Sequence, residues 1–165
     1  MSYTFCPKCG GRLRKKYIDK NKELVCKNCH FIFYQNSKPT ASALIIKGDK
    51  ILLAQRAIEP YKNFWDVPGG FLKLKEHPEQ GLAREIKEEL NVDIKIKKLL
   101  GIFMDKYGAS GDCTLNIYYL AEIKKGKLKP ASDVKSFKWF EIDNLPKDVA
   151  FKASKDALRA LKKLR

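Results

Sequence analysis

The segment that decides the fold runs from residue 70 to residue 92 and reads GFLKLKEHPEQGLAREIKEELNV. Its second half predicts a helix from about Pro78 to Leu90, because proline is favoured in the first turn of a helix and apolar residues recur here at helical spacing. Asn91 comes next, and asparagine tolerates the left-handed conformation that closes many helices. We therefore expect a helix that begins at a proline and ends before Asn91.

This predicted helix has an apolar face and an acidic face. At about 100° per residue, its apolar stripe contains four side chains: Leu82, Ala83, Ile86 and Leu90. The adjoining sector holds Glu85, Glu88 and Glu89, which repel one another at these spacings. Clustered carboxylates are the ligands that Mg²⁺ or Mn²⁺ prefers, so the cluster indicates a metal site. A solvated acidic helix face is the alternative interpretation.

Nine positions of the segment form a longer pattern: Gly70, Glu76, Arg84, Glu85, Ile86, Glu88, Glu89, Asn91 and Val92. This pattern resembles the signature of the Nudix hydrolases. It departs from the family at Asn91, where the family has glycine, and at Lys75, where many members have glycine. We expect neither difference to affect the ligands.

The resemblance covers residues 40–165, with the signature at 70–92. Before it, two β-rich runs around Gly48 and Asp49 predict a hairpin: Ala41–Lys47 and Ile51–Arg56. After it, three segments resemble the family's later elements: a core strand at Thr114–Ile123, a strand and turn at Ser136–Pro146, and a terminal helix at Ala153–Leu164. The implied fold is of the α+β class, a mixed sheet between helices in an α/β/α sandwich.

The resemblance also assigns roles within the signature. Glu85, Glu88 and Glu89, with the backbone carbonyl of Gly69, would bind catalytic Mg²⁺ or Mn²⁺. Arg84 would orient Glu85. Glu76 would pair with Arg84, the role we favour, or reach the metal through water.

Residues outside the signature contribute the remaining candidates. In this family the general base comes either from the signature or from a later loop, where Asp133 stands; a turn-forming aspartate is the alternative. For substrate contacts we expect Arg56, Phe71 and Tyr107, which could pair with or stack on a base.

Four of the five cysteines fall in two Cys-x-x-Cys pairs: Cys6 with Cys9, and Cys26 with Cys29. This spacing predicts one structural zinc ion held by four thiolates, and two disulfides are the alternative. Between the pairs, residues 12–25 predict a hairpin. His30 is an unneeded fifth ligand, and Cys113 is interpreted as a small core residue. We expect a zinc ribbon at 1–34 and a linker at 35–39, as in the ribbon-bearing Nudix enzymes such as the NADH pyrophosphatases.

The formal net charge is +15, and its excess lies at the two ends of the chain. Residues 1–38 carry nine basic and two acidic side chains, and residues 147–165 carry seven and two. Such ends suit polyanionic partners, including nucleic acid. The longest apolar runs, such as Ala43–Ile46, are too short to span a membrane, and the first residues do not read as a secretory signal, so we expect a cytoplasmic protein.

Three functions stay open. The first is Mg²⁺-dependent hydrolysis of the pyrophosphate bond in a nucleoside diphosphate linked to another group, such as ADP-ribose, NADH or FAD, releasing a nucleoside monophosphate. The second is removal of a nucleotide cap from RNA, or hydrolysis of a dinucleoside polyphosphate. The third is a non-catalytic module that binds nucleic acid or protein. The expected partner is a small nucleotide, and a homodimer is one assembly that the resemblance implies.

Overall fold

The computed structural model describes residues 3–108 and 111–164. The chain divides into two units, Met1–Ser37 and Lys38–Arg165. Strand β4 of the second unit begins at Lys38, so the last two residues of the predicted linker belong to a strand. Neither helix of the described residues has the length and apolar character that a bilayer crossing requires.

The first unit is a three-stranded antiparallel sheet of β1 (Leu13–Ile18), β2 (Asn21–Cys26) and β3 (Ile32–Phe33), in that order. The predicted hairpin is confirmed, since Leu13 pairs with Cys26 and Ile18 with Asn21. Asp19 and Lys20 form its two-residue turn, both with positive φ, which is the backbone that such hairpins favour.

The second unit is built on one mixed sheet. Its strands are β4 (Lys38–Lys47), β5 (Lys50–Arg56), β6 (Trp65–Asp66), β7 (Gly69–Phe71), β8 (Val92–Tyr107), β9 (Asp112–Gly126) and β10 (Val134–Glu141). The main order is β10-β5-β4-β9-β8, while β6 pairs with β5 and β7 pairs with β4. Strands β4 and β9 run parallel, and the other pairs are antiparallel.

Each face of this sheet has its own core and one helix. Helix α1 (Pro78–Leu90) packs with the first core, and helix α2 (Lys152–Lys163) packs with the second. Leu82, Ile86 and Leu90 of α1 are completely buried, and burial of each contributes about 2 kcal/mol. The expected α/β/α sandwich with a mixed sheet is confirmed.

The boundaries predicted for α1 are also confirmed. Pro78 is its first residue, and Asn91 closes it in the left-handed conformation, with φ 57° and ψ 27°. The family's glycine is therefore replaced by a residue that accepts the same backbone. At the other end, His77 caps the helix by accepting a hydrogen bond from the Glu79 N–H.

Two burial predictions and one helix boundary were wrong. Ala83 is exposed, and the buried face of α1 includes Gly81 and Glu89 instead. The terminal helix ends at Lys163, one residue earlier than predicted, and Leu164 beyond it is exposed. Cys113 is also exposed, because it precedes buried Thr114 on β9 and so points to the opposite face of the sheet.

Candidate active site

The four paired cysteines meet at one point. Their sulfur atoms all lie within 4.8 Å of one another, with Cys6 Sγ 3.8 Å from Cys29 Sγ and Cys9 Sγ 3.5 Å from Cys26 Sγ. Sulfur atoms at the corners of a tetrahedron about 2.3 Å from a zinc ion would be about 3.8 Å apart. The thiols are free, so the disulfide alternative is wrong for this structure.

Backbone geometry around the sulfurs suits thiolates. The N–H groups of Lys8 and Asn28 each point at the first sulfur of their pair, at 3.4 Å. Such donors, led by the Cys29 N–H, lower the pKa of Cys26 to about 6. Gly10 and His30 follow the two pairs with positive φ, so His30 serves as a turn residue and is not among the clustered ligands. The cluster therefore fits structural zinc.

In the second unit, Arg84 organises the acidic face of α1. Its Nε and Nη2 donate to the two carboxylate oxygens of Glu76, at 2.7 and 2.9 Å. Its Nη1 donates to Glu85 at 2.6 Å and to Glu88 at 3.2 Å. The Arg84 hydrogen bonds lower the pKa of Glu76 to about 2. Glu76 therefore stays ionised and paired with Arg84 at neutral pH. Both contacts expected of Arg84 are present.

Glu89 lies on the same helix but in a different environment. Its side chain is buried, and its Oε2 accepts a hydrogen bond from the Gly69 N–H at 3.0 Å. Burial, and then the negative charge of Asp133, raises the pKa of Glu89 well above its ordinary value, and Glu85 adds to the effect. A cation at this point would relieve that cost.

The carboxylate oxygens of Glu85, Glu88 and Glu89 do not converge on one point in this structure. Within the described residues, the cysteine cluster is the one group of three or more ligand side chains that converges within 4.8 Å. Glu85 and Glu88 are held by Arg84, and Glu89 is held by Gly69. Joint binding of one cation therefore needs rotation of these side chains, and their metal-binding roles stay predictions.

Gly69 has a reason to be glycine that the sequence did not show. Its φ is +143°, and an added Cβ would lie 2.2 Å from the Ala41 carbonyl oxygen and 2.5 Å from Ser42 Cα. The close pairing of β7 with β4 therefore requires glycine here, and this pairing places the Gly69 N–H against Glu89. Whether its carbonyl binds a metal ion stays a prediction.

Asp133 lies both in a turn and beside the glutamates. Its carbonyl accepts from the Ala57 N–H at 2.7 Å, Ser132 before it has positive φ, and Val134 bonds back to Ala131. The same residue lines a small cavity of about 250 Å³ together with Glu89. Asp133 thus forms the turn and also faces the site, so the two interpretations are compatible.

A cleft of about 580 Å³, including its open mouth, shares Gly69 and Asp133 with the smaller cavity that Glu89 lines. Arg56, Phe71, Tyr107 and Asp133 all line it, so the structure brings the predicted substrate contacts and the candidate base into one space. This volume lies within the range of nucleotide-sized ligand sites.

Arg56, which lines this cleft, has one unpaired donor atom. Its Nε donates to the Pro60 carbonyl at 2.7 Å, and its Nη1 lies 3.6 Å from Asp66 Oδ2. Among the described residues, its Nη2 is the one buried side-chain nitrogen or oxygen without a hydrogen-bond partner. A buried donor left unpaired is costly, so an oxygen of a bound ligand would satisfy it.

Asp66 connects Arg56 to α2. Ser154 donates its hydroxyl proton to Asp66 at 2.6 Å, so Tyr118 must donate its own to Ser154, at 2.9 Å. Burial raises the pKa of Asp66 to about 6, although Ser154 and Arg56 oppose the shift.

Aromatic rings form one wall of the cleft. Tyr107 stacks on Phe151 with a centroid distance of 5.6 Å and an angle of 15°, while Phe71 meets Tyr107 edge-on at 5.2 Å. The Arg56 guanidinium lies 5.0 Å from the centre of the Phe151 ring. Sequence reasoning missed Phe151 and Asp66. Asp66 lies four residues before Gly70, the first residue of the signature, and could have been noticed, whereas Phe151 carries no local signal.

The chain matches known proteins along nearly its whole length. Residues 36–161 match the family model described as NUDIX domain, and residues 4–35 match the zinc-ribbon model described as Nudix N-terminal. An ADP-ribose pyrophosphatase of Methanocaldococcus jannaschii is 33% identical over 153 residues, which cover 91% of this chain and 87% of that protein.

Two further comparisons agree. The NAD-capped RNA hydrolase NudC of Vibrio atlanticus is 32% identical over 151 residues, which cover 90% of this chain and 53% of that protein, so the chain spans about half of that relative. A solved NUDIX hydrolase from Nitrosomonas europaea has a TM-score of 0.83 at 28% identity, covering 99% of this chain and 92% of that one. The chain therefore belongs to the Nudix hydrolase family and carries that family's N-terminal zinc ribbon.

Proposed function

We propose that this protein hydrolyses the pyrophosphate bond of a nucleoside diphosphate linked to a second group, with ADP-ribose as the first candidate, and that it requires Mg²⁺ or Mn²⁺. The observation that carries this proposal is Glu89, a buried carboxylate that lines a small cavity together with Asp133, which also lines the nucleotide-sized cleft. A buried carboxylate cluster is costly unless a cation neutralises it, and cation-assisted attack on a pyrophosphate is chemistry that such a cluster supports.

The residues present fit such a cation. Glu85, Glu88 and Glu89 supply oxygen donors, which Mg²⁺ prefers, and Gly69 offers a backbone carbonyl in the same region. When bound, the cation neutralises phosphate charge and lowers the pKa of a bound water. Arg84 holds both Glu85 and Glu88, and Glu85 lies beside Gly70, which lines the cleft.

Other residues of the chain act on the substrate directly. The free Nη2 of Arg56 donates to a phosphate oxygen, which pairs this buried donor. Phe71, Tyr107 and Phe151 offer ring surface for a base. Asp133 or Glu89 accepts the proton of the attacking water, since both carboxylates border the same space.

ADP-ribose is the first candidate because the Methanocaldococcus relative, which this chain matches over most of both lengths, is named for that substrate. All of the described residues that line the cleft belong to the second unit, so we expect that a small dinucleotide needs nothing from the ribbon. The zinc site is then structural.

A second candidate is removal of a nucleotide cap from RNA. The NudC relative is named for it, and β1 provides a specific observation in support. Four consecutive residues of this strand, Arg14 to Tyr17, are exposed, so the ribbon presents three cations and an aromatic ring that is 70% exposed. Such a surface suits backbone phosphates and base stacking.

Mass spectrometry of products would test both candidates. The wild type and Glu88→Gln are incubated in Mg²⁺ with ADP-ribose, NADH, FAD, diadenosine tetraphosphate and NAD-capped RNA. We expect nucleoside monophosphate from the small substrates with the wild type alone. Release from capped RNA alone, with a rate that falls steeply as salt rises, would favour the second candidate. No product from any of them would contradict hydrolysis.

A further inference from the structure

The first turn of α2 forms part of the cleft wall. Phe151 immediately precedes the helix, and its ring stacks on Tyr107 and lies under the Arg56 guanidinium. Ser154 in the same turn also lines the cleft. The position of this turn therefore determines where the Phe151 ring lies.

Helix α2 lacks a cap of its own. Phe151 occupies the N-cap position, where its side chain makes no capping hydrogen bond. Asp105 on β8 supplies the missing acceptor: its Oδ2 accepts from the Ala153 N–H at 2.8 Å, across 48 residues of sequence. Its Oδ1 accepts from the Lys106 N–H at 2.7 Å. Because a helix N-terminus favours a negative charge, this contact holds the first turn of α2 against the end of β8.

The same strand also supplies the stacking partner. Side chains two residues apart on a strand share a face, so Asp105 and Tyr107 both point away from exposed Lys106. Asp105 binds the turn through its backbone, and Tyr107 packs on the ring that this turn carries. The first contact holds the backbone next to Phe151, and the second holds its ring.

We propose that Asp105 is a positioning residue for substrate binding: by capping α2 across the cleft, it holds Phe151 against Tyr107 and Arg56 and so sets the affinity of the aromatic wall for the base of the nucleotide. This inference rests on the proposed function. Asp105 also lines the cleft, but both of its carboxylate oxygens accept hydrogen bonds from backbone N–H groups, those of Ala153 and Lys106. It therefore acts on the substrate through Phe151, and because it lies outside the glutamate cluster its effect falls on binding and leaves the chemical step unchanged.

The test compares three variants with ADP-ribose as the probe. In Asp105→Ala we expect KM to rise about tenfold, the scale of losing one base-stacking contact, with kcat within about twofold of wild type. Asp105→Asn keeps an acceptor oxygen in place and restores most of the affinity.

Asp156→Ala is the matched control. Asp156 pairs with Lys152 and Arg159 on the same helix, so its loss weakens α2 while the bond from the Ala153 N–H to Asp105 stays in place. We expect an unchanged KM in this variant, even if its melting temperature falls as far as that of Asp105→Ala. If KM rises equally in both variants, general destabilisation of α2 explains the effect of Asp105→Ala, and the proposal is wrong.

Calorimetric titration of ADP-ribose without divalent cations separates this inference from the proposed function. Weaker binding by Asp105→Ala than by Asp156→Ala supports positioning, whether or not the wild type hydrolyses the ligand. If the wild type hydrolyses ADP-ribose while Asp105→Ala binds it as tightly as wild type does, the positioning role alone is wrong. A lower kcat with unchanged KM in Asp105→Ala would also contradict it.

Discussion

Arg84 and Glu76 are joined by two parallel hydrogen bonds, from Nε to Oε1 at 2.7 Å and from Nη2 to Oε2 at 2.9 Å. Glu76 also accepts from the Lys73 N–H at 2.8 Å, so the loop before α1 is tied to the helix through one carboxylate. Because Nε and Nη2 are paired with Glu76, the third nitrogen of the guanidinium, Nη1, donates to Glu85 and Glu88. The pair therefore fixes the orientation of the proposed metal ligands.

Replacing Glu76 with Gln should disturb this arrangement without removing a ligand. The amide pairs poorly with the guanidinium, which then holds Glu85 and Glu88 more tightly against a competing cation. We expect the Mg²⁺ concentration for half-maximal activity to rise by about 10- to 100-fold, as for other groups that orient metal ligands. A Mg²⁺ titration of initial rates checks this, with exposed Glu79→Gln as the control. Equal Mg²⁺ dependence in both variants would contradict the orienting role.

Glu89→Gln should separate activity from stability. It removes a buried negative charge beside Asp133, so we expect activity to be lost while the free energy of unfolding without Mg²⁺ rises by about 1 kcal/mol. Urea denaturation at pH 7 measures the change. Glu79→Gln again serves as the control for a charge lost at the surface. A clear loss of stability in Glu89→Gln would contradict the prediction, because it would mean that neighbouring groups already offset the cost of burying this charge.

Asp66 should make stability depend on pH. Burial raises its folded pKa from 3.8 to about 6, so between these values the folded protein binds more protons than the unfolded chain. Stability then falls as pH rises through this window, by at most about 3 kcal/mol, and the loss is complete above pH 6. Asp66→Asn should lack this slope. Urea midpoints between pH 4 and pH 7 test it, and equal slopes in the two proteins would contradict the prediction.

Zinc should be needed by the ribbon and dispensable for hydrolysis of a small nucleotide. Cys26 is completely buried within the cysteine cluster, and the described residues that line the cleft all belong to the second unit. We expect Cys26→Ser to lose its zinc and the folded ribbon, while ADP-ribose turnover stays within about threefold of wild type. Metal analysis and initial rates provide the readout. Cys113→Ser, a serine replacement outside the cluster, should keep its zinc; loss of turnover in Cys26→Ser alone would contradict the prediction.

Gly69→Ala should be severely destabilising because the new methyl group meets the β4 backbone. We expect a loss of about 3 kcal/mol or more. Gly48→Ala is the matched control: Gly48 also has positive φ, at +59°, but open space around it, so its loss should be about 1 kcal/mol. Thermal unfolding compares the two. Similar losses would mean that backbone conformation alone, without steric overlap, explains the need for glycine.

Local signals predicted much of this molecule from its sequence. Pro78, the apolar spacing and Asn91 lie within one helix, so its bounds follow from short-range rules. The cysteine spacing likewise predicted the cluster that the structure shows. Helical periodicity predicted the side of α1 on which Glu89 lies. It did not predict that the side chain is buried, because this burial depends on contact with Gly69 in β7.

The rest of the site depends on contacts between distant residues. Ser154 meets Asp66 across 88 residues, and Ala153 meets Asp105 across 48, so no local pattern could have joined them. The long strand β8 also escaped prediction, since its alternation is interrupted by shifts in its pairing with β9. As a result, Arg56 and Tyr107 were expected at the site, while the turn that holds Phe151 between them was not.

The most direct test of the account is release of AMP from ADP-ribose in Mg²⁺, measured by mass spectrometry for the wild type and Glu88→Gln prepared in parallel. The Glu88 side chain is half exposed and pairs with Arg84, so its replacement should leave the fold intact. We expect AMP and ribose 5-phosphate from the wild type, with the rate reduced by at least about 100-fold in the variant. Equal rates in the two proteins would contradict the assignment of this carboxylate cluster as the active site.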